Sequence, residues 1–135
     1  MKDLIIDVIV FSIIIVVIDG IYLKQIVSPF GDMIKKIQGR EMNLNKSAAV
    51  VVYSSMVSLW YLFIYQDIDR YSFWRLIFRA FLLGNLTYTI FDFTNLAIIH
   101  GYRLDLALID SLWGGILYAI TTALFLLFKR FVKRL

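Results

Sequence analysis

Residues 106–128 read LALIDSLWGGILYAITTALFLLF, an apolar run that is long enough to cross a bilayer and yet contains an aspartate, Asp110. A membrane-spanning helix needs about 20 such residues, because the hydrocarbon layer is about 30 Å thick. A carboxyl group at its centre costs about 2.5–3.5 kcal/mol on insertion scales. Two further aspartates, Asp19 and Asp92, interrupt similar runs. The three acids therefore predict a polar interior inside an otherwise apolar membrane protein.

The composition places the chain in the membrane class. Of its 135 residues 61% are hydrophobic and 16% aromatic, and the mean hydropathy is +0.79. A soluble domain of this size buries only about two-thirds of its chain surface, so lipid must cover the rest. Cysteine is absent, which excludes disulfides and thiolate nucleophiles. The net charge of +4 comes from Lys and Arg at the ends of apolar runs, which favours headgroup anchoring over nucleic-acid binding.

The sequence predicts an all-α integral membrane four-helix bundle, formed by a single transmembrane domain over residues 1–135. Its four spans are expected at about residues 4–23, 48–65, 76–99 and 106–128. They should be helical because lipid offers no partners for backbone N–H and C=O groups. Two of the three connections are short, which predicts antiparallel neighbours and up-down-up-down topology.

The longer connection, residues 24–47, contains the only proline, Pro29, and a patterned segment. Its apolar residues recur at helical spacing: Phe30, Met33, Ile34 and Ile37. This pattern predicts an interfacial amphipathic helix at about residues 30–38, with Gly39 at its end. A polar loop without regular structure is the alternative.

The distribution of basic residues gives an orientation. With four spans, both termini and the connection at residues 66–74 share a side that collects eight Lys and Arg residues, against six on the other side. The positive-inside rule then favours cytoplasmic termini for this multi-pass protein.

Antiparallel threading predicts that the three acids meet in one half of the membrane. Asp19 lies late in the first span, Asp92 late in the third and Asp110 early in the fourth. Each helix also carries a stripe of polar residues at helical spacing, which we expect to face inward. The predicted ligand-binding residues are Asp19, Tyr22, Ser54, Tyr88, Asp92, Asn95, Asp110 and Trp113.

Three ionised carboxylates would not be stable together in a low dielectric without a compensating charge. The sequence leaves three ways to supply it. The acids are protonated within a hydrogen-bonded network, or they pair with Lys24 or Arg103, or they bind a cation.

Two other patterns concern packing. Small residues recur every fourth position along the last span, which predicts close approach of a neighbouring helix. They are Ser111, Gly115, Ala119 and Ala123. Most tryptophans and tyrosines, including Trp60 and Trp74, fall near predicted span ends and are typical of the aromatic belts at membrane surfaces.

Three segments resemble the motifs of the DUF2177 family of small predicted membrane proteins. They are DGIYL at residues 19–23, YTIFDFTNLA at residues 88–97 and DSLWGG at residues 110–115. Tyr22 and Phe91 replace other aromatic residues of the family pattern. The resemblance implies a four-helix membrane protein and implies no reaction. It singles out Asp19, Asp92, Thr94, Asn95, Asp110, Trp113 and Gly114.

Enzyme signatures are lacking in the sequence. There is no phosphate-binding loop, dinucleotide fingerprint or nucleophile elbow, and the only histidine is His100. We therefore predict no catalytic residue, no metal ligand and no cofactor. A lipid-modifying enzyme that uses Asp92 and Asp110 as acid and base stays an alternative.

The predicted function is the binding or movement of a small cation, amine or lipid headgroup by the acidic cluster. The alternative is a structural or accessory membrane subunit whose cluster fixes helix packing or docks a partner. The expected partners are the lipid bilayer and either further copies of the chain or another membrane protein, and no nucleic acid.

Overall fold

The structure, a computed structural model, describes residues 2–132. Its four α-helices are α1 (Lys2–Gln38), α2 (Lys46–Phe63), α3 (Phe73–Ile98) and α4 (Leu104–Val132). A short 3₁₀ turn at Tyr65–Asp67 follows α2. Within the described residues all four helices are long and apolar enough to cross a membrane, and the predicted all-α class is confirmed. Lys133 and Arg134, which count toward the predicted positive charge at the termini, lie outside the described residues.

Local signals explain where the helices begin and end. Gly39 adopts a φ of 75°, the left-handed conformation that ends many helices, immediately after α1. Asn45 caps α2, because its side-chain oxygen accepts a hydrogen bond of 3.1 Å from the backbone N–H of Ala48. Gly101, with a φ of 87°, lies in the short connection between α3 and α4.

The end of the first helix differs from the prediction. We expected a span that ends near residue 23 and a separate helix at about residues 30–38, but α1 continues through Pro29 as one helix of 37 residues. Proline removes one N–H group and usually kinks or ends a helix, which made a break at this position the natural expectation. At about 1.5 Å per residue, α1 is about 55 Å long and exceeds the hydrocarbon thickness.

Packing explains why the helix continues. The predicted apolar face of residues 30–37 lies against the start of α4 and the connection before it. Met33 forms a buried cluster with Tyr102, Leu106 and Ala107. The pattern therefore predicted correctly which residues share a face, and that face is covered by protein.

Helix α4 lies at the centre of the bundle. It packs along α3 over most of its length and also contacts α1, while α2 packs mainly on α1. The core between α1, α2 and α4 is aromatic: Trp60 stacks on Phe11 with ring centroids 3.8 Å apart and meets the edge of Phe125 at 4.8 Å. Trp60 is fully buried, so its assignment to an aromatic belt was wrong, whereas Trp74 is 76% exposed.

The contact between α3 and α4 is very close. A Cβ atom added to Gly84 would lie 2.0 Å from the carbonyl oxygen of Gly114, and one added to Gly115 would lie 2.7 Å from the ring of Phe81. The side chain of Asn85 also donates a hydrogen bond of 2.9 Å to the backbone oxygen of Ser111. The small residues predicted along α4 do allow close approach, although the nearest contact uses Gly114, next to the predicted stripe.

Candidate functional site

Asp19 is held by side chains from two other helices. Tyr53 on α2 donates a hydrogen bond of 2.7 Å to Oδ2, and Trp113 on α4 donates one of 3.0 Å to Oδ1. The residue is 6% exposed. Both carboxylate oxygens therefore have a donor, and Asp19 connects α1, α2 and α4.

Asp110 is bound by the next inward residue of α1. The hydroxyl of Tyr22 donates a hydrogen bond of 2.8 Å to Oδ1 of Asp110. The Tyr22 ring stacks on Trp113, with centroids 4.3 Å apart and planes at 10°. This stacking orients both donors, because Trp113 bonds Asp19 while Tyr22 bonds Asp110.

Asp92 is the most deeply buried acid of the cluster, with no exposed surface. Tyr102 donates a hydrogen bond of 2.9 Å to its Oδ1 atom, but Oδ2 is buried and has no hydrogen-bond partner among the described residues. The carboxyl group of Asp92 is close enough to that of Asp110 to interact with it directly. Burial and the bond to Asp92 raise the pKa of Tyr102, which keeps its hydroxyl protonated as the donor.

Asp19, Asp92 and Asp110 thus form one group of side chains, which we term the acidic cluster. Among residues 2–132, none of the ion pairs includes a member of this cluster. Arg103 pairs instead with Asp105 at 2.5 Å, and Lys24 is exposed. The predicted alternative of an ion pair from Arg103 is therefore wrong.

Two other predicted residues lie around the cluster. Tyr88 is within electrostatic range of Asp19 and Asp110, and its ring packs on Gly114. Asn95 lies within hydrogen-bonding range of Tyr102.

Ser54 does not face the cluster, and the prediction that it points inward was wrong. It is exposed and lines an outward groove on α2 with Ser55 and Ser58. The neighbouring residue Tyr53 takes its place on Asp19. A shift of one position turns a helix by about 100°, so choosing the serine stripe over the aromatic one reversed the face.

The sequence interpretation also missed Tyr102, which it grouped with the aromatic belts. Its signal was its place in the short connection before α4, where a long side chain can reach back over the end of α3. Tyr53 had a clearer signal, because it shares a face at helical spacing with Trp60.

A second buried charge lies at the other end of the bundle. Asp7 is 7% exposed and accepts a hydrogen bond of 2.6 Å from Tyr65. It also forms an ion pair with Lys129, whose ammonium group lies 4.9 Å over the Tyr65 ring. Unlike the acidic cluster, this site contains its own cation.

Four apolar helices with a buried polar interior define an integral multi-pass membrane protein. The chain matches the family described as "Predicted membrane protein (DUF2177)" over residues 4–127. It therefore belongs to the DUF2177 family, as the three motifs indicated. No curated protein and no solved structure matches the chain.

Proposed function

We propose that the acidic cluster binds a small cation inside the membrane, either a simple ion or the ammonium group of an amine or lipid headgroup. The observation that carries this proposal is the Oδ2 atom of Asp92, which is buried without a partner next to a second carboxyl group. Such an atom costs about 1–3 kcal/mol, and more when the group is charged. A bound cation removes that cost.

The balance of charge supports the proposal. Three carboxyl groups share the site, and every side-chain hydrogen bond to them comes from a neutral tyrosine or tryptophan. Neutral donors stabilise a carboxylate but leave its net charge in place. Since desolvating an ion costs several kcal/mol, a positive ligand is the compensation that the site lacks.

The aromatic wall of the cluster suits an ammonium ligand. Tyr22 and Trp113 stack on each other between Asp19 and Asp110, so their rings border the carboxylates. Aromatic faces attract cations, and desolvation strengthens this attraction to about 2 kcal/mol.

We further propose up-down-up-down threading, with cytoplasmic termini. The contacts between α1 and α4 support the threading, since they pair early positions of one helix with late positions of the other. Asp7 meets Lys129, Asp19 meets Trp113, and Met33 accepts a hydrogen bond from the backbone of Arg103. Residues 30–38 of α1 would then lie at the membrane surface as an extension of the first span.

Movement of the cation would require more than one copy of the chain, because four helices make a thin wall for a solute path. We propose a homo-oligomer. The outward groove on α2 supports this proposal, because it exposes serine hydroxyls in a candidate span. Small polar residues of this kind favour contact between membrane helices.

The test is a titration of purified protein with sodium, potassium and methylammonium ions, followed by thermal unfolding. At least one of these cations should raise the midpoint, and Asp92→Asn should weaken its binding at least tenfold. Asp32→Asn is the matched control, because Asp32 is an exposed acid on α1 with no hydrogen bond to the cluster. Cation flux into liposomes then distinguishes binding from transport. An Asp92→Asn variant that responds like the parent protein would refute the proposal.

A structural role is the second candidate, and Asp19 favours it. Both of its oxygens are satisfied by side chains of other helices, so this residue fixes the register of α1 against α2 and α4. Under this role no cation stabilises the protein, and Asp92→Asn leaves it folded with an equal or higher unfolding midpoint.

A further inference from the structure

A small pocket lies at the end of the bundle that carries Asp7 and Lys129, far from the acidic cluster. Its volume is about 170 Å³, and it lies between the connection after α2, the start of α3 and the last turns of α4. Its lining residues are Ile68, Asp69, Tyr71, Phe73, Leu76, Leu126, Lys129 and Arg130. Since Asp110 and Lys129 are 19 positions apart on α4, about 28 Å separates this pocket from the acidic cluster.

The floor of the pocket is apolar and its rim is cationic. Leu76 and Leu126 are 2% and 7% exposed and belong to the core. Arg130 lies over the ring of Phe73, with its guanidinium carbon 5.1 Å from the centroid. On the other side, Arg75 lies 4.3 Å over Tyr71. A surface of this kind fits an amphipathic ligand with an anionic head.

Two of the nearby cations are free to bind such a head. Lys129 pairs with Asp7, and Arg79 pairs with Asp67 at 2.7 Å. Within residues 2–132, by contrast, neither Arg75 nor Arg130 has an acidic partner; each rests on an aromatic ring. Guanidinium groups bind phosphate with two parallel hydrogen bonds, and stacking leaves those N–H groups available.

The position of the pocket indicates the source of the phosphate. Candidate spans end at Asp67 and Val132, and another begins at Phe73, so the pocket lies where the helices leave the hydrocarbon. Basic pockets between membrane helices at this level bind anionic lipid headgroups. Asp69, the one acid of the lining, disfavours a doubly charged phosphate and can accept a hydrogen bond from a headgroup hydroxyl.

We propose that this pocket binds the headgroup of an anionic phospholipid, with Arg75 and Arg130 on the phosphodiester and an acyl chain along the apolar floor. The site is separate from the acidic cluster and does not depend on cation binding there. Its ligand is a singly charged phosphodiester.

The experiment uses the full-length protein in a neutral detergent and measures thermal unfolding with added lipid. Phosphatidylglycerol should raise the midpoint more than phosphatidylcholine does. Arg130→Gln and Arg75→Gln should each weaken phosphatidylglycerol binding about tenfold, and Arg130→Lys should retain part of it. Arg103→Gln is the matched control, because it removes an exposed arginine at the opposite end of the bundle.

Further arms separate the possible results. Inorganic phosphate and glycerol 3-phosphate should give no protection, because they lack the acyl chain; if either protects as well as the lipid, the ligand is a free phosphate and the lipid proposal is overturned. Equal effects of the two lipids overturn it as well, as does an equal loss in Arg103→Gln and Arg130→Gln. The midpoint of each variant without lipid shows that it is folded.

Discussion

Asp19 and Asp92 lie in the same cluster, but their oxygens are satisfied differently. Asp19 accepts one hydrogen bond on each oxygen, whereas Asp92 accepts one on Oδ1 and leaves Oδ2 without a donor. A buried polar atom without a partner is rare in proteins, and it usually marks a functional site or a bound species. Asp19 therefore resembles a structural anchor, and Asp92 is the residue at which a ligand is expected to act.

A pair of neighbouring substitutions on α2 tests how Asp19 is held. Tyr53→Phe removes one donor and leaves Oδ2 of a buried carboxylate unsatisfied. Since a hydrogen bond to a charged group contributes about 1.5–3 kcal/mol, the free energy of unfolding should fall by about that amount. Ser54→Ala is the control; this residue is exposed, and its change should stay within about 0.5 kcal/mol. Denaturant titration monitored by tryptophan fluorescence measures both, and equal effects would contradict the assignment.

The acids of the site were predictable from the sequence and two of their donors were not. An aspartate within an apolar run stands out against hydrocarbon, so Asp19, Asp92 and Asp110 could be identified without coordinates. Tyrosine is compatible with a core, a membrane surface and a hydrogen-bonding role alike. For Tyr53 and Tyr102 the role depends on which face of the helix turns inward and on how the connection folds, and composition fixes neither.

At the scale of the helix, α1 shows how packing decides where an element ends. Local signals predicted a break near Pro29, while the burial of Met33 against Tyr102 and Leu106 continues the helix to Gln38. The other three helices match their predicted spans within a few residues, because apolar length and caps determine them. Propensity at one proline is a weak constraint when an apolar face has a partner.

The contact between α3 and α4 makes a sharp prediction at this scale. Gly84→Ala places a Cβ atom 2.0 Å from the Gly114 carbonyl oxygen, so the helices must separate. Overpacking of this kind costs about 1–3 kcal/mol, and more where backbone rather than a side chain must move. The midpoint of thermal unfolding should fall accordingly.

Gly20→Ala is the matched control for that substitution. Gly20 lies inside α1, and an added Cβ atom would meet nothing within 4 Å. Alanine is favoured over glycine in a helix by about 0.8–1 kcal/mol, so this variant should be as stable as the parent protein or more stable. A loss of stability in Gly20→Ala equal to that in Gly84→Ala would show that close packing is not the cause.

At the scale of the whole molecule, two buried polar sites lie at opposite ends of one bundle. The acidic cluster joins α1, α2 and α4 with the end of α3, and Asp7 joins the start of α1 to Tyr65 and Lys129. Only the second site contains its own cation. The sequence placed Asp7 in the half opposite the cluster, but its pairing with a lysine 122 positions away requires knowledge of helix rotation as well as depth.

The ion pair between Asp7 and Lys129 should stabilise the whole bundle. Lys129→Met leaves a buried carboxylate without its cation, and the loss of one partner from such a pair costs about 3–5 kcal/mol. We expect the lower end of that range, because the side chain of Lys129 is 25% exposed. Adding Asp7→Asn should restore much of the stability, since the double variant has no uncompensated charge. Denaturant titration of the two single variants and the double variant measures the coupling. If the double variant is less stable than Lys129→Met alone, Asp7 does not depend on Lys129 for its charge balance.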